Sequence, residues 1–535
     1  MRYLLIIVII LPLSSSHSQY PQVELYQTTQ DYYYYPVGTS YGFDYLGGHH
    51  LLEGRTNPGP PPIRKLFYNF VELNGDSIGW VRVTLNEGSE RSESLHIFPG
   101  NKAAVTFTTY AGENNPMIAV DMLRGFGVFE IWPSPDEAVD TTLYGSFLTA
   151  DRNNRFHMVY FQSGFPAFHL KYSSWTEPGD QLGPVVIDYA VLPDAKIVTK
   201  QSSDRVAIFF LKAIIEDNEE ILGANVAYIV SEDGENWDFE NDIVDVTDYD
   251  ESNLRAYGNI DALFDDNDFL QIVWNETILD VGGHATLNGR LIHFNEQTGE
   301  SNLVAVNIDD EWDAYPGNGN IGIGNMAIAC NEIGHLYIVW EEFHNTDASN
   351  TGYCNGDIYL SYSFDGGRDW TRRENLTNSQ TPGCIPGECE SDIFPDLDER
   401  TEEEIRLFYL SDRDAGSWIL GEGVSTVNST YFMTVSPLVD VIGNVEIPDK
   451  AALLSAYPNP FNAKTTIKFS LAESAAIKLD IYDIAGRLVE KLADTKFPAG
   501  EKAIVWDTEN KSSGVYFARL SSSSGNSARK LVLLR

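Results

Sequence analysis

Six segments of the chain share one pattern, a polar turn followed by a strand-length apolar run that ends in an aromatic residue. They are NKAAVTFTTY, DRNNRFHMVYF, SSDRVAIFF, DDNDFLQIVW, NEIGHLYIVW and RTEEEIRLFY, anchored by Tyr110, Tyr160, Phe210, Trp274, Trp340 and Tyr409. The anchors lie 50, 50, 64, 66 and 69 residues apart, which predicts a repeated four-stranded sheet with loops of variable length. Strands such as FHLKYSS, ANVAYIVS, GRLIHFN and GDIYLSYS follow the anchors, with the alternating or short apolar runs of sheet. NFVELNGDSIGWVRVTL, residues 69–85, reads either as an outer strand of a first repeat or as part of a seventh. DYYYYPVG, residues 31–38, reads as part of an N-terminal arm, 19–65, packed on the repeats, with a sugar-stacking tyrosine patch as the alternative.

A second signature falls 21 to 23 residues after an anchor: SFDGGRDW at 363–370 and the shorter SEDGENW at 231–237. HFNEQTGE (293–300) and KYSSW (171–175) look like worn versions of it. In a hairpin turn an Asp carboxylate accepts hydrogen bonds from amides that the ladder leaves unpaired, and Gly supplies positive φ. Ser231, Asp233, Gly234 and Trp237, and Ser363, Asp365, Gly367 and Trp370, are therefore read as architecture rather than catalysis. The spacing resembles the Asp-box (BNR repeat) of sialidase-like β-propellers across residues 66–438. The resemblance implies six radial blades, with the boxes on the face away from any active site. In that family three arginines grip a carboxylate beside a Tyr/Glu pair and an aspartate acid/base, the first arginine in an RIP-type motif. Here the nearest candidate is Arg64 in PPIRKLF, where Lys65 follows. Arg82, Arg124, Arg205, Arg255, Arg290 and Arg406 sit in no context that assigns the other two grips, so catalytic residues stay unknown.

After a linker at 439–451 the chain becomes compact and β-rich again, with strand candidates KTTIKFSL, AIKLDIYDIAGRLV, EKAIVWD and GVYFARL, enough for a small β-sandwich. YPNPFN (Tyr457, Pro458, Asn459, Pro460, Phe461, Asn462) forces a rigid extended turn, since the prolines donate no ladder hydrogen bond. Together with DIYDIAGRLV and its Gly486, SGVYFARL with Gly514 and Tyr516, and the closing RKLVLLR, it resembles a type A C-terminal sorting domain of the type IX secretion system, 452–535. That resemblance implies an immunoglobulin-like sandwich, type IX machinery as a partner, and release or surface attachment outside a Gram-negative cell.

The start of the chain agrees. Arg2, an apolar run from Leu4 to Leu13 and the small-x-small Ser16-His17-Ser18 predict a signal peptide over 1–18. That run is too short to span a bilayer, which needs about 20 residues, and no later stretch is long and apolar enough.

Charge sharpens the division. Residues 451–535 hold 12 basic and 8 acidic residues, which leaves 24 against 70 before them. Such an acidic surface repels polyanions and excludes nucleic acid as a partner. Outside the cytoplasm, Cys330, Cys354, Cys384 and Cys389 favour disulfides. Cys384 and Cys389 flank the turn IPGE, and a local staple of this loop involving Cys354 is expected. DVTDYDES (245–252), DDND (265–268) and NIDDEWD (307–313) gather oxygen ligands for calcium without an EF-hand spacing. The resulting expectation is an all-β exported protein, a six-bladed or seven-bladed propeller plus a sorting domain, that binds a glycan or a surface protein. The alternative is a sialidase-like exo-glycoside hydrolase with a non-standard arginine set.

Overall fold

The computed structural model describes residues 20–28 and, with short gaps, 41–436 and 452–533. Among them every regular element is a strand. Two compact units divide the chain at Val435/Ser436. The predicted signal peptide, DYYYYPVG and the linker lie outside the described residues.

The strand β1 (Gln22–Thr28) comes first in the chain but belongs to the last sheet of the larger unit. Sheet I holds β2 (Tyr41–Phe43), β3 (His49–Asn57), β4 (Ile63–Val71) and β5 (Val81–Arg82). Sheet II holds β6 (Ser89–Phe98), β7 (Lys102–Tyr110), β8 (Asn114–Asp121) and β9 (Phe129–Trp132). Sheet III holds β10 (Leu143–Ala150), β11 (Phe156–Gln162), β12 (Phe168–Trp175) and the first half of β13 (Gln181–Thr199). The second half of β13 opens sheet IV, followed by β14 (Val206–Ile215), β15 (Ile221–Ser231) and β16 (Val244–Asp245). Sheet V holds β17 (Leu254–Phe264), β18 (Leu270–Leu279), β19 (Ala285–Asn295) and β20 (Glu300–Asn307). Sheet VI holds β21 (Ile323–Cys330), β22 (Leu336–Ala348), β23 (Cys354–Ser363) and β24 (Glu374–Asn375). Sheet VII holds β25 (Ser391–Leu397), β26 (Ile405–Asp412), β27 (Asn428–Val435) and, on its outer edge, β1.

Sheets III to V are hydrogen-bonded into one continuous run, joined through β13 and the single β15–β17 pair Ala224↔Ala256; divided at those links, seven four-stranded groups stand where the anchors predicted six. All six anchors sit on the second strands of sheets II to VII. Those strands read as near-continuous apolar runs because neighbouring sheets cover both of their faces, a condition that removes the polar alternation. In β14, VAIFFL is buried at all six positions. Sheet I escaped the pattern because its second strand, HHLLEGRTN, turns polar after Leu52 and has no anchor. Residues 22–65 are correspondingly not an arm laid on the ring: they supply β1, β2, β3 and the start of β4. Segment 69–85 contains the end of β4 and the outer strand β5.

Each sheet shares a core with the next. Phe107 and Tyr68 belong to the core of I and II, Trp274 and Phe209 to that of IV and V, and Trp340 and Leu291 to that of V and VI. The circle closes where Tyr41 and Leu51 of sheet I meet Phe408 of sheet VII, the Tyr41 and Phe408 rings stacked at 5.1 Å. Closure is reinforced by β1, antiparallel to β27 from Gln22↔Met433 to Thr28↔Asn428. Tyr409 donates to Gln22 Oε1 at 2.6 Å, Thr430 to the Tyr26 carbonyl at 2.9 Å, and Tyr26 meets Trp80 of the sheet I side edge-on at 4.8 Å.

First strands face the axis. A small cavity of about 70 Å³ lined by His96, Val198, Thr199, Leu263, Cys330 and Glu399 draws on five sheets and marks that axis. Near it Lys196 lies among Asp194, Asp261 and Asp396, 3.3 Å from Asp261 Oδ1. Burial alone would lower Lys196, but Asp261, Asp396 and Asp194 outweigh it and raise its pKa. Burial pushes Asp194 up to about 8 and Asp396 up to about 7.

In the smaller unit β28 (Ala452–Tyr457), β29 (Lys464–Leu471) and β32 (Gly500–Asp507) form one sheet. β31 (Leu488–Phe497), β30 (Ala475–Asp483), β33 (Gly514–Ser522) and β34 (Gly525–Leu533) form the other. Ile467 and Trp506 of the first share a core with Ile477, Leu479, Ala518 and Leu531 of the second.

Two predictions follow from closure and from the axis. Deleting residues 20–28 bares the β27 edge, and at about 1 kcal/mol net per hydrogen bond the loss is on the order of 5 kcal/mol. The melting midpoint should fall and a 20–28 peptide added in trans should restore it; an unchanged midpoint would contradict the closing role. For the axis, the unfolded carboxyls ionise near pH 4 whereas the folded ones keep protons to about 7 or 8. The folded state thus holds more protons in between, so this stability is full below about pH 4, falls as pH rises from there and is gone above about 8. Melting should be easier at about pH 8 than at about pH 5, and Asp194→Asn should flatten the fall. A rising midpoint, or an unaltered slope in the variant, would refute the assignment.

Candidate functional site

In an up-and-down sheet the first-to-second and third-to-fourth turns share one end. Both stretches read from the sequence as Asp-boxes are third-to-fourth turns, Ser231–Trp237 between β15 and β16 and Ser363–Trp370 between β23 and β24. Asp365 Oδ1 accepts from Ser363 Oγ at 2.8 Å and from the Arg368 and Asp369 amides at 3.1 and 3.0 Å. Asp233 Oδ1 accepts from the Glu235 and Asn236 amides at 3.0 and 2.8 Å, and the Asn236 amide heads the interactions that hold its carboxyl well below the usual range. Gly367, at φ 88°, lies against sheet V, where an added Cβ would come 2.1 Å from His293. Trp370 packs edge-on against the same His293 at 5.2 Å, and Trp237 donates from Nε1 to Tyr172 of sheet III at 3.2 Å. Gly234, at φ 70°, completes the shorter turn. Each turn thus pins its own hairpin and reaches the preceding sheet.

The opposite end carries a cavity of about 410 Å³ lined by Val306, Asn307, Ile308, Asp309, His344, Asn345, Thr346 and Arg373. Behind it lies Glu342, fully buried on β22, with Oε1 2.9 Å from Arg373 Nη1 and 3.4 Å from His344 Nε2. Trp340 Nε1 donates to Glu342 Oε2 at 3.0 Å, and His344 Nε2 shares a hydrogen bond with Tyr359 OH at 2.9 Å. Burial pushes the Glu342 carboxyl up to about 7 despite Arg373, and burial lowers His344, with Arg373 adding to the effect. The pair is a carboxyl balanced between protonation states and a neutral imidazole, able to donate or accept at neutral pH. Above the cavity Asn345 Oδ1 accepts from the Asp313 and Ala314 amides, each at 2.9 Å, and fixes the loop that bears Trp312 and Tyr315. Tyr315 is exposed and meets Tyr353 edge-on at 6.4 Å.

Trp340 was an anchor, and Asn307, Asp309, Trp312 and Asp313 lie in the NIDDEWD stretch read as oxygen ligands, but Glu342, His344, Asn345, Tyr359 and Arg373 were not singled out. A local signal exists: Trp274-x-Glu276 and Trp340-x-Glu342 repeat on β18 and β22. In sheet V the equivalent Glu276 takes Tyr249 OH and sits 3.3 Å from Arg290 Nη1. Among the described residues the sequence-derived arginines do not assemble a three-armed grip. Arg124 binds Asp44 and Glu72 and Arg205 binds Glu232 and Glu296 on turns at the box end, and Arg406, at the start of β26, binds Asp398. Arg255 donates to the Tyr249 carbonyl, Arg82 lies on β5, and the Arg64 side chain lies outside the described residues.

The disulfide joins Cys384 and Cys389 in the loop between β24 and β25. The expected involvement of Cys354 is corrected: Cys354 and Cys330 are free and buried, and the two loop cysteines, at a Cα separation of 5.1 Å, close the turn alone. DDND is the β17–β18 turn, where Asp265 Oδ1 accepts from the Asn267 and Phe269 amides. Among the described residues no group of three or more His, Cys, Asp or Glu is arranged to hold a metal ion.

In the smaller unit Tyr457 pairs with Thr466, Phe461 is buried 5.6 Å from Trp506, Asn462 is exposed, and Gly514 pairs with Leu533. Tyr516 donates to the Ser512 carbonyl at 2.7 Å. Pro458, Asn459, Pro460 and Gly486 lie outside the described residues.

Residues 455–534 match the secretion system C-terminal sorting domain. The protein is therefore secreted or held at the cell surface by the type IX system of a Gram-negative bacterium. Among the described residues no helix is long and apolar enough to cross a membrane. No curated protein matches the chain. Among solved structures, a PL25 ulvan lyase, a polysaccharide lyase, is 10% identical with a TM-score of 0.47, covering 78% of this chain and 99% of its own. A Penicillium chrysogenum α-L-arabinanase complexed with arabinobiose is 11% identical with a TM-score of 0.41, covering 79% and 99%. A further polysaccharide lyase is 11% identical with a TM-score of 0.44, covering 75% and 90%. Likenesses this distant carry no chemistry to this chain.

Gly367→Ala should cost about 2 kcal/mol or more, since it combines an unfavourable φ with an overlap on His293. Asp365→Ala should cost about 1–3 kcal/mol through three lost hydrogen bonds. Denaturant unfolding measures both; neutral substitutions would remove the turns from the architecture.

Proposed function

We propose that the chain is an exported binding module: a seven-bladed β-propeller of the sialidase-like, Asp-box type, preceded by a signal peptide over 1–18 and followed by an immunoglobulin-like type IX sorting domain over 452–535. Its ligand is a glycan or a surface protein, taken at the end opposite the box turns. The observation that carries this reading is the cavity of about 410 Å³ lined by Asn307, Asp309, His344, Asn345 and Arg373. That size suits a ligand pocket, and amide, carboxylate, imidazole and guanidinium groups match the hydroxyls of a glycan. Tyr315 supplies an exposed ring face beside the pocket loop. With the protein outside the cell, such a site meets polysaccharides and neighbouring surface proteins.

A second reading, catalysis by a sialidase-like hydrolase with a non-standard arginine set, is favoured by one feature: Glu342 near neutrality beside His344, Tyr359 and Arg373. Turnover of mixed glycans that disappears in Glu342→Gln would establish it over pure binding.

On a glycan array the full chain should retain defined glycans, and Tyr315→Ala should weaken the best of them about 3- to 10-fold, the worth of one aromatic face. Titration calorimetry reads the ratio. Absence of any retained glycan, with no protein partner recovered by cross-linking at the cell surface, would overturn the binding reading.

A further inference from the structure

Ring sheets end in fourth strands, and several of those with an outer edge are too short to recruit another chain: β5, β16 and β24 have two residues each and β9 has four. The outer half of β13 is longer but carries Pro184, and β1 has seven residues broken by a register shift between Glu24 and Tyr26. β20 differs. It has eight residues, ESNLVAVN, with neither lysine nor proline, and pairs only with β19, through one irregularity opposite Leu291/Ile292. Leu303 is 49% exposed, Val306 40%, and Ile308 just beyond the strand 53%. An edge of this length presents a row of main-chain donors and acceptors, and proteins usually blunt it with lysine, proline or brevity. Here Arg373 caps the Val306 carbonyl, while toward Glu300 no other strand covers the edge among the described residues. Glu300, Asp309 and Glu311 bracket the apolar side chains with negative charge.

We infer that the outer edge of β20 docks an extended segment of a protein partner, apolar at alternate positions and basic between them, which adds to sheet V as a fifth strand. Main-chain pairing supplies the affinity, as in other strand-addition complexes, and alternate side chains supply the selection. Leu303, Val306 and Ile308 meet the apolar positions, and the acidic bracket meets the basic ones. The C-terminal end of this edge, Val306, Ile308 and Asp309, also borders the cavity, but the inference goes beyond the glycan reading because it needs the main-chain edge from Glu300 and Leu303 onward, which lies outside the pocket lining.

The test uses the full chain and three capped nine-residue synthetic peptides: alternating valine and lysine, the same peptide with a central proline, and alternating valine and glutamate. Fluorescence polarisation should show the first binding at least ~10-fold more tightly than either control. Hydrogen exchange should show new amide protection within 300–307. Leu303→Lys should weaken the first peptide by at least ~10-fold while leaving the melting midpoint and glycan binding unchanged. Equal binding of the proline peptide would show charge attraction alone and overturn the inference. So would undiminished binding to the variant, protection confined elsewhere, or dimerisation through this edge without peptide binding. Retained glycan binding in any of these outcomes leaves the cavity reading intact and separates the two failures.

Discussion

A ring of sheets holds together only if its first and last members meet, and here that junction is made by residues at opposite ends of the larger unit. Every other interface joins sheets adjacent in sequence, so that folding one sheet presents a face to the next. The final contact has no such advantage. Tyr41, Leu51 and Phe408 form a smaller core than any other pair of sheets shares, and the pairing of β1 with β27 compensates by placing the outermost strand of sheet VII at the start of the chain. Long-range closure of this kind carries a high entropy cost before it contributes stability.

The two turns read as Asp-boxes and the axial charges act on the same problem from other directions. Trp237 and Trp370 extend beyond their own hairpins to sheets III and V, so each box couples neighbours as well as closing a turn. Near the axis the first strands of several sheets bring their side chains together. Lys196 offsets part of the carboxylate repulsion there, and proton retention by Asp194 and Asp396 relieves more of it. A domain with 70 acidic and 24 basic residues before position 451 therefore concentrates its electrostatic strain where its walls meet.

The box end spends its polar residues on structure, while the other end leaves polar and aromatic groups facing solvent. The long second strand of sheet VI makes this division possible. β22 runs through the ring, buried as far as Phe343, and emerges with His344 and Asn345 at the cavity. A rigid strand thus carries Trp340, Glu342 and His344 into fixed relation with Tyr359 and Arg373, and the loop bearing Trp312 and Tyr315 is tied to Asn345. Binding groups held on strands and braced loops lose little freedom when a ligand arrives.

Much of this was legible in the residues alone. The central strands declare themselves as apolar runs because they are covered on both faces, the box turns because Ser, Asp and Gly bond within a few residues, and the sorting domain because its motifs stand in order. The local staple of Cys384 with Cys389 was nearly legible too, and only the free state of Cys354 was not. Sheet I was hidden because HHLLEGRTN lacks the apolar run, and β1 because its partner lies some 400 residues away. The cavity was hidden because Glu342, His344, Tyr359 and Arg373 follow no motif and meet only after three strands align. What the sequence by itself determined were features satisfied between near neighbours along the chain; the number of sheets, the closure and the site were decided by tertiary structure, since they depend on which distant surfaces are left to cover one another.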